Sequence, residues 1–318
     1  MLIHLAIIFA SSIAIYYLGN AFAEASSRIG DHYRLPKGVK GATLDAISSS
    51  LPELLIALFA VLFFGRFDIG VATIAGSAAF NLLIIPALSV LVAPGILKVA
   101  KRVIARDGLF YIISLILLLA AVWYAPTWGI LLSVIFLGLY AVYIGVFVND
   151  AKKHRETVKS IPTHIPRDIG IAGITALLIA GASYLLVEHA IDFANAIGVH
   201  PVLIAFTIIA AATSVPDTVV SMANARKGSG DDAISNALGS NTFDILIGLG
   251  IPVLAYVLLI GEPVVHGFMN MEILFGLLAA TMIVLYLFAR NNSLSKQEGV
   301  ILLVAYAGFL VYVFFFSL

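Results

Sequence analysis

Runs of about 20 predominantly apolar residues recur from one end of the 318-residue chain to the other, and that is the length a helix needs to cross a bilayer. Inside lipid the backbone can satisfy its own polar groups only in helices or closed barrels. Runs this long are helical rather than barrel strands. Ten spans are predicted, at roughly 2–25, 36–64, 69–93, 106–124, 127–149, 168–193, 200–225, 231–259, 268–290 and 297–317. Charged residues make up 11% of the chain, against about 25% in a soluble domain. The fold class is therefore an all-α polytopic membrane protein. The first run, "MLIHLAIIFASSIAIYYLG", has no basic segment before it and reads as a retained span, not a cleaved signal. With no cysteine there is no disulfide framework and no thiolate metal site. Zero net charge speaks against a nucleic-acid partner. The expected partners are the lipid bilayer and small cations; no protein partner and no cofactor is expected.

Seventeen of the eighteen Lys and Arg residues fall in the loops after the first, third, fifth, seventh and ninth spans, and only Arg66 falls on the other side. The positive-inside rule puts those loops in the cytoplasm and both termini outside. A wrong span count would scramble this bias. A prokaryotic cell membrane is the expected location.

The chain also repeats itself. "GSAAFNLLI" at Gly76 resembles "GSNTFDILI" at Gly239, an offset of 163, and "SSLPEL" at Ser49 resembles "TSVPDT" at Thr213, an offset of 164. Short strings rich in Gly and Ser can match by chance, but these fall on corresponding spans. Two halves of five spans each must cross in opposite senses, which makes an inverted-topology repeat of the kind found in secondary transporters. The expected units are 1–149, a cytoplasmic linker 150–167, and 168–318.

The repeated strings carry the chemistry. Pro52 removes the helix partner of the Ser48 carbonyl, and Pro216 does the same to Ala212. A lone proline of this kind reads as an ordinary kink. Here Glu53 and Asp217 follow the two prolines directly, and Asp244 lies mid-span where the other repeat has Asn81. A carboxylate at that depth costs at least about 2.5–3.5 kcal/mol, so such acids are functional by default. Ser49 and Glu53, like Thr213 and Asp217, are four residues apart and share a helix face. Thr73, Ser77 and Asn81 make one stripe, and Asn236, Ser240 and Asp244 the matching one. Every donor in this set is oxygen. That suits hard cations such as Ca²⁺ and Na⁺ and not zinc or copper. Three ionised carboxylates carry −3: one Ca²⁺ leaves −1 for a K⁺ or a proton, and three Na⁺ neutralise all. A site that two ion sets can fill suits obligatory exchange.

These strings resemble the two alpha-repeats of the cation/calcium exchanger superfamily, the sodium/calcium exchangers. "TSVPDTVVSMANARKGSGDDAISNALGSNTFDILIGLG" and "DIGVATIAGSAAFN" look most like the potassium-dependent sodium/calcium exchanger branch, in a prokaryotic type without a regulatory domain. The resemblance implies ten helices, with the first and sixth sliding across a core of the second, third, seventh and eighth. It implies Glu53 and Asp217 as central Ca²⁺ ligands, and Asn81 and Asp244 completing the centre. It also implies Ser49, Ser50, Ser77, Thr213, Ser214 and Ser240 as hydroxyl ligands, chiefly for Na⁺, with backbone carbonyls from Ala46 and Ala210. The position of Asp244 is the one linked to K⁺ in that branch. Three features depart from the pattern: Ser48-Ser49-Ser50 stands where Gly-Thr-Ser or Gly-Gly-Ser is usual, Ala212 where Gly is usual, and Asp45 where an apolar residue is expected. Asp45 is either a further acid of the site or an acid bonded to a nearby hydroxyl.

The expected function is antiport of Ca²⁺ against Na⁺, with K⁺ as a candidate co-transported ion, and not an enzymatic activity. A Ca²⁺/H⁺ or other cation/H⁺ antiporter is the nearest alternative. A remote one is an intramembrane aspartyl protease, from "GSGD" at Gly228, although no Tyr-Asp dipeptide exists to supply its partner acid and Asp231 reads more simply as a helix N-terminal acid. His4 and His266 read as interfacial, and Glu24, Glu188 and Asp192 as facing headgroups or water.

Overall fold

A computed structural model describes residues 1–35, 40–153, 164–268 and 270–316. The helices are α1 Leu2–His32, α2 Ala46–Leu62, α3 Phe67–Val92, α4 Lys101–Tyr124 and α5 Ile130–Lys153 in the first half. The second half has α6 Ile165–Ile197, a bent α7 in two pieces, Pro201–Thr213 and Val215–Arg226, then α8 Gly230–Ile260, α9 Met271–Asn291 and α10 Lys296–Phe316. With the bent pair taken as one span, ten helices among the described residues are long and apolar enough to cross a membrane.

Two pairs of two-residue strands tie the halves together. Strand β1 (Leu97–Lys98) pairs antiparallel with β4 (Ser293–Leu294), and β2 (Thr127–Trp128) with β3 (Val264–Val265). β1 and β2 lie at opposite ends of α4, whose 24 residues are about 36 Å long at 1.5 Å per residue. The bridges therefore close opposite faces of the molecule. β1 and β3 occupy matching places in the two halves, after α3 and α8, and so do β2 and β4. Exchanging the halves turns one bridge into the other with its register kept, Leu97↔Leu294 becoming Val264↔Trp128. The inverted repeat is thus visible in the loops as well as in the spans.

It is visible inside the spans too. α2 is entered through a π-helical turn at Gly41–Asp45 and α7 contains another at Ala205–Ile209, 164 residues later. Such turns interrupt the regular ladder and recur at functional sites. The symmetry breaks at the prolines. α2 runs through Pro52 as one helix, whereas α7 bends by 42° at Ser214. Pro216 sits in the first turn of the second piece, where a missing N–H costs nothing. The expectation of two equivalent mid-helix kinks is corrected accordingly.

α3 and α8 lie innermost, with α2 and the bent α7 against them, while α1 and α6 pack along each other at the periphery. The small residues of "GVATIAGSAA" in α3 let neighbouring backbones come close. A Cβ on Gly76 would collide with the carbonyl oxygen of Phe206 in α7; one on its counterpart Gly239 would meet only the Tyr143 hydroxyl, at 3.4 Å.

Other boundaries shift for identifiable reasons. α1 and α6 reach 31 and 33 residues, about 46–50 Å, well beyond the roughly 30 Å of hydrocarbon. Hydropathy ends α1 near residue 25, but Glu24 and Arg28 pair one turn apart and Arg28 binds Asp168 of α6 at 2.8 Å, which carries the helix on. α5 starts at Ile130, not 127, because Thr127–Trp128 is used as a strand. Of the expected linker 150–167, residues 154–163 lie outside the described residues and the flanks belong to α5 and α6.

Two outcomes follow. Gly76→Ala should lower thermal stability in detergent by about 1–3 kcal/mol or more, and Gly239→Ala by much less. Because the chain has no cysteine, single cysteines report sidedness cleanly. Glu262→Cys, in the loop before β3, should react with an impermeant maleimide in intact cells, and Lys101→Cys only after permeabilisation.

Candidate ion-binding site at the centre of the bundle

The repeated strings on α2, α3, α7 and α8 converge. Glu53, Asn81, Asp217 and Asp244 are all fully buried. The Asp217 carboxylate is held from three sides. Its Oδ1 accepts from Ser240 Oγ at 3.0 Å and from Asn236 Nδ2 at 3.2 Å, and its Oδ2 from Asn81 Nδ2 at 3.5 Å. Asn236 also reaches the Asp217 carbonyl and the Ser221 hydroxyl. Asp244 accepts from Ser77 Oγ at 3.2 Å, and Ser77 lies 3.0 Å from Ser214 Oγ across the repeat boundary. Ser49 Oγ makes the converse crossing to Ser240 Oγ at 3.3 Å.

The Ala46 and Ala210 carbonyls each lie next to a hydroxyl of the repeated strings. Ser49 Oγ lies 3.3 Å from the Ala46 oxygen and 3.1 Å from that of Asp45; Thr213 Oγ1 lies 3.2 Å from the oxygens of both Ile209 and Ala210. These are the carbonyls of the two π-helical segments and the turns that follow them, so the backbone irregularity delivers oxygens to the same place in both repeats.

Glu53 is the exception to this pairing. Both its carboxylate oxygens are buried without a hydrogen-bond partner, and so are Ser50 Oγ, Asn81 Oδ1 and Asp244 Oδ1. Five unpartnered oxygens thus belong to four residues of the repeated strings. Their acids sense one another: Asp244 and Asp217 are the charges acting on Glu53. Among the described residues none of the three acids makes an ion pair. A buried polar atom left unpaired costs about 1–3 kcal/mol, and more if charged. The arrangement is stable only with positive charge or protons supplied from elsewhere.

Not every residue of the sequence patterns joins the cluster. Thr73 bonds back to the Ile69 carbonyl. The charges that act on the Asp45 side chain are Lys40 and Asp31, and Lys40 Nζ binds Asp31 Oδ1 at 2.7 Å. The Asp45 carbonyl accepts from the Ser49 hydroxyl. Asn236 is the residue that the pattern put on the stripe without a role; its spacing from Ser240 and Asp244 was the available signal. Asp231 Oδ1 accepts from the backbone N–H of Ala100 at 2.6 Å, which ties the start of α8 to that of α4.

Two inverted five-helix halves around a buried, oxygen-lined, acid-rich centre define a helical membrane transporter of the secondary-active class. The particular lineage is plain from sequence. The chain matches the family described as "Sodium/calcium exchanger protein" over residues 3–149 and 168–315, and it belongs to that family. Inner membrane protein YrbG of Escherichia coli is 29% identical over 269 residues, 80% of each chain. Mouse sodium/potassium/calcium exchanger 4 is 40% identical over 146 residues, 44% of this chain and 23% of that one. The sodium-calcium exchanger NCX_Mj, soaked with 100 mM Na⁺ and 10 mM Sr²⁺, shares the fold over the whole of both chains, with a TM-score of 0.67 at 24% identity. The family consists of cation exchangers, so the chain is a transporter and not an enzyme, and the protease alternative falls away.

The contrast between the two aligned acids is measurable. Glu53→Gln replaces an unpartnered carboxylate by a neutral amide able to donate to the free oxygens nearby, and should hold or raise the melting temperature without added Ca²⁺. Asp217→Asn keeps an acceptor for Ser240 and Asn236 but sets its amide NH2 against that of Asn81, and should cost about 1–3 kcal/mol. If the acids ligate Ca²⁺, adding Ca²⁺ should raise the melting temperature of the parent protein and of neither variant.

Proposed function

We propose that the protein exchanges Ca²⁺ for Na⁺ across the membrane by alternating access, with K⁺ accompanying Ca²⁺ through Asp244. The observation that supports this most is the set of five unpartnered buried oxygens on Ser50, Glu53, Asn81 and Asp244. Ca²⁺ takes six to eight oxygen ligands, and an all-oxygen set with several carboxylates meets that demand. In this reading Glu53 and Asp217 ligate Ca²⁺ together with Asn81 and Asp244. Ser49, Ser50, Ser77, Thr213, Ser214 and Ser240, with the carbonyls of Ala46 and Ala210, hold Na⁺ when Ca²⁺ has left. Ser49 and Thr213, which donate to the Ala46 and Ala210 carbonyls, and Ser240, which donates to Asp217, can turn their lone pairs to a cation.

Charge drives the coupling. Three carboxylates in a low-dielectric centre repel one another, so the empty centre is costly and the moving state needs ions aboard. That couples departure of one ion set to arrival of the other. α1 and α6, peripheral and packed on each other, are the elements free to shift as a pair against α2, α3, α7 and α8. The two repeats are 1–149 and 168–318, joined by the linker 150–167, with both termini outside and the connection between α5 and α6 in the cytoplasm.

Uptake of ⁴⁵Ca²⁺ into proteoliposomes decides the driving ion. An outward Na⁺ gradient should drive uptake, and a proton gradient alone should not. Removing K⁺ should slow the Na⁺-driven flux, and Asp244→Asn should remove that dependence. No Na⁺-driven uptake at any K⁺ concentration would sink the proposal, and uptake driven by protons alone would establish the Ca²⁺/H⁺ alternative. Asp45→Ala should leave the driving ion unchanged.

A further inference from the structure

At the far end of the α1–α6 seam, remote in sequence from every site residue above, three side chains turn toward one another. His4 of α1 faces His189 of α6, Nδ1 to Nδ1 at 3.0 Å. Asp192, three residues on from His189, places Oδ2 3.6 Å from the first ring nitrogen and 3.9 Å from the second. The rings are tilted by 53° rather than stacked, so the nitrogens and not the ring faces make the contact. The cluster is reachable from water, since Asp192 exposes 49% of its side chain and His4 24%.

We propose that His4, His189 and Asp192 form a divalent transition-metal site of the zinc type that links α1 to α6. Three atoms separated by 3.0, 3.6 and 3.9 Å share a common point about 2 Å from each, which is the ligand distance of Zn²⁺ to imidazole nitrogen and carboxylate oxygen. Two neutral imidazoles aimed at each other can place one proton between them, whereas a metal takes both lone pairs at once. Two nitrogens and one carboxylate are a donor set for Zn²⁺, Co²⁺ or Ni²⁺ and a poor one for Ca²⁺ or Mg²⁺. A three-ligand site keeps its fourth position for water. The arrangement is therefore chemically distinct from the all-oxygen centre. His4 lies one turn before Ile8 on the buried stripe of α1, so the metal would pin the two peripheral helices to each other at one end of their packed seam.

The test uses the full chain purified without a polyhistidine tag and titrated with Co²⁺ alone. The intense visible bands of four-coordinate Co²⁺ should grow to one equivalent, vanish on adding Zn²⁺, and persist in excess Ca²⁺. His4→Ala and His189→Ala should each abolish them, Asp192→Asn should weaken binding about tenfold or more, and Glu53→Gln should leave them intact. Should an alanine variant fail to fold, His4→Gln and His189→Gln keep size and polarity and should likewise lose the bands. Absence of the bands in the parent protein, or their survival in both histidine variants, would overturn the site and leave a histidine pair hydrogen-bonded beside an exposed acid.

Discussion

Three carboxylates buried in the middle of a bilayer-spanning bundle without a counter-charge are the constraint around which the rest is arranged. Asp217 is hydrogen-bonded by Asn236, Ser240 and Asn81, so its charge is tolerated by fixed dipoles. Glu53 has no such support. The two aligned acids are therefore unequal: one is held by fixed dipoles, and the other is balanced only by positive charge or protons supplied from elsewhere. This inequality follows from helix geometry. The break at Ser214 and the bend in α7 bring Asp217 under the polar stripe of α8, while α2 runs on unbroken through Pro52.

Such a centre can exist only if four helices approach closely enough for small side chains from opposite halves to touch. The contacts of Ser49 with Ser240 and of Ser77 with Ser214 span the boundary between repeats, and both use side chains with one heavy atom beyond Cβ. Glycine at position 76 makes the approach of α3 to the Phe206 carbonyl feasible. In lipid no hydrophobic driving force gathers helices, so close packing and interhelical polar contacts carry the association. The same residues thus serve stability and chemistry, and substitutions at the centre disturb both.

Much of this was legible in the sequence because its signals are additive over long stretches. Hydropathy gave the spans, seventeen like-sided charges gave their parity, and two strings at offsets of 163 and 164 gave the repeat. The convergence of α2, α3, α7 and α8 came from the repeat and from the family resemblance. What escaped is held by contacts that no local window contains. The extension of α1 to His32 depends on Asp168, 140 positions from Arg28. The shortening of α5 depends on a strand partner after α8. The difference between Pro52 and Pro216 lies in where each falls within its helix, not in the residues beside it. Asp45, alike in sequence to a site acid, has Lys40 and Asp31 as its charged neighbours. Conversely, His4 and His189 are 185 residues apart, and nothing in either neighbourhood points to the other.

The paired strands at the two faces have an evolutionary reading. Each bridge takes one strand from either half, and each is the image of the other with register and inward-facing residues kept, Leu97 with Leu294 and Val264 with Trp128. Two separate copies of one half, inserted in opposite orientations, would make both bridges from a single pair of strands. The fused chain retains the interface of such an antiparallel homodimer, and the stretch between α5 and α6 is the only connection that fusion had to add.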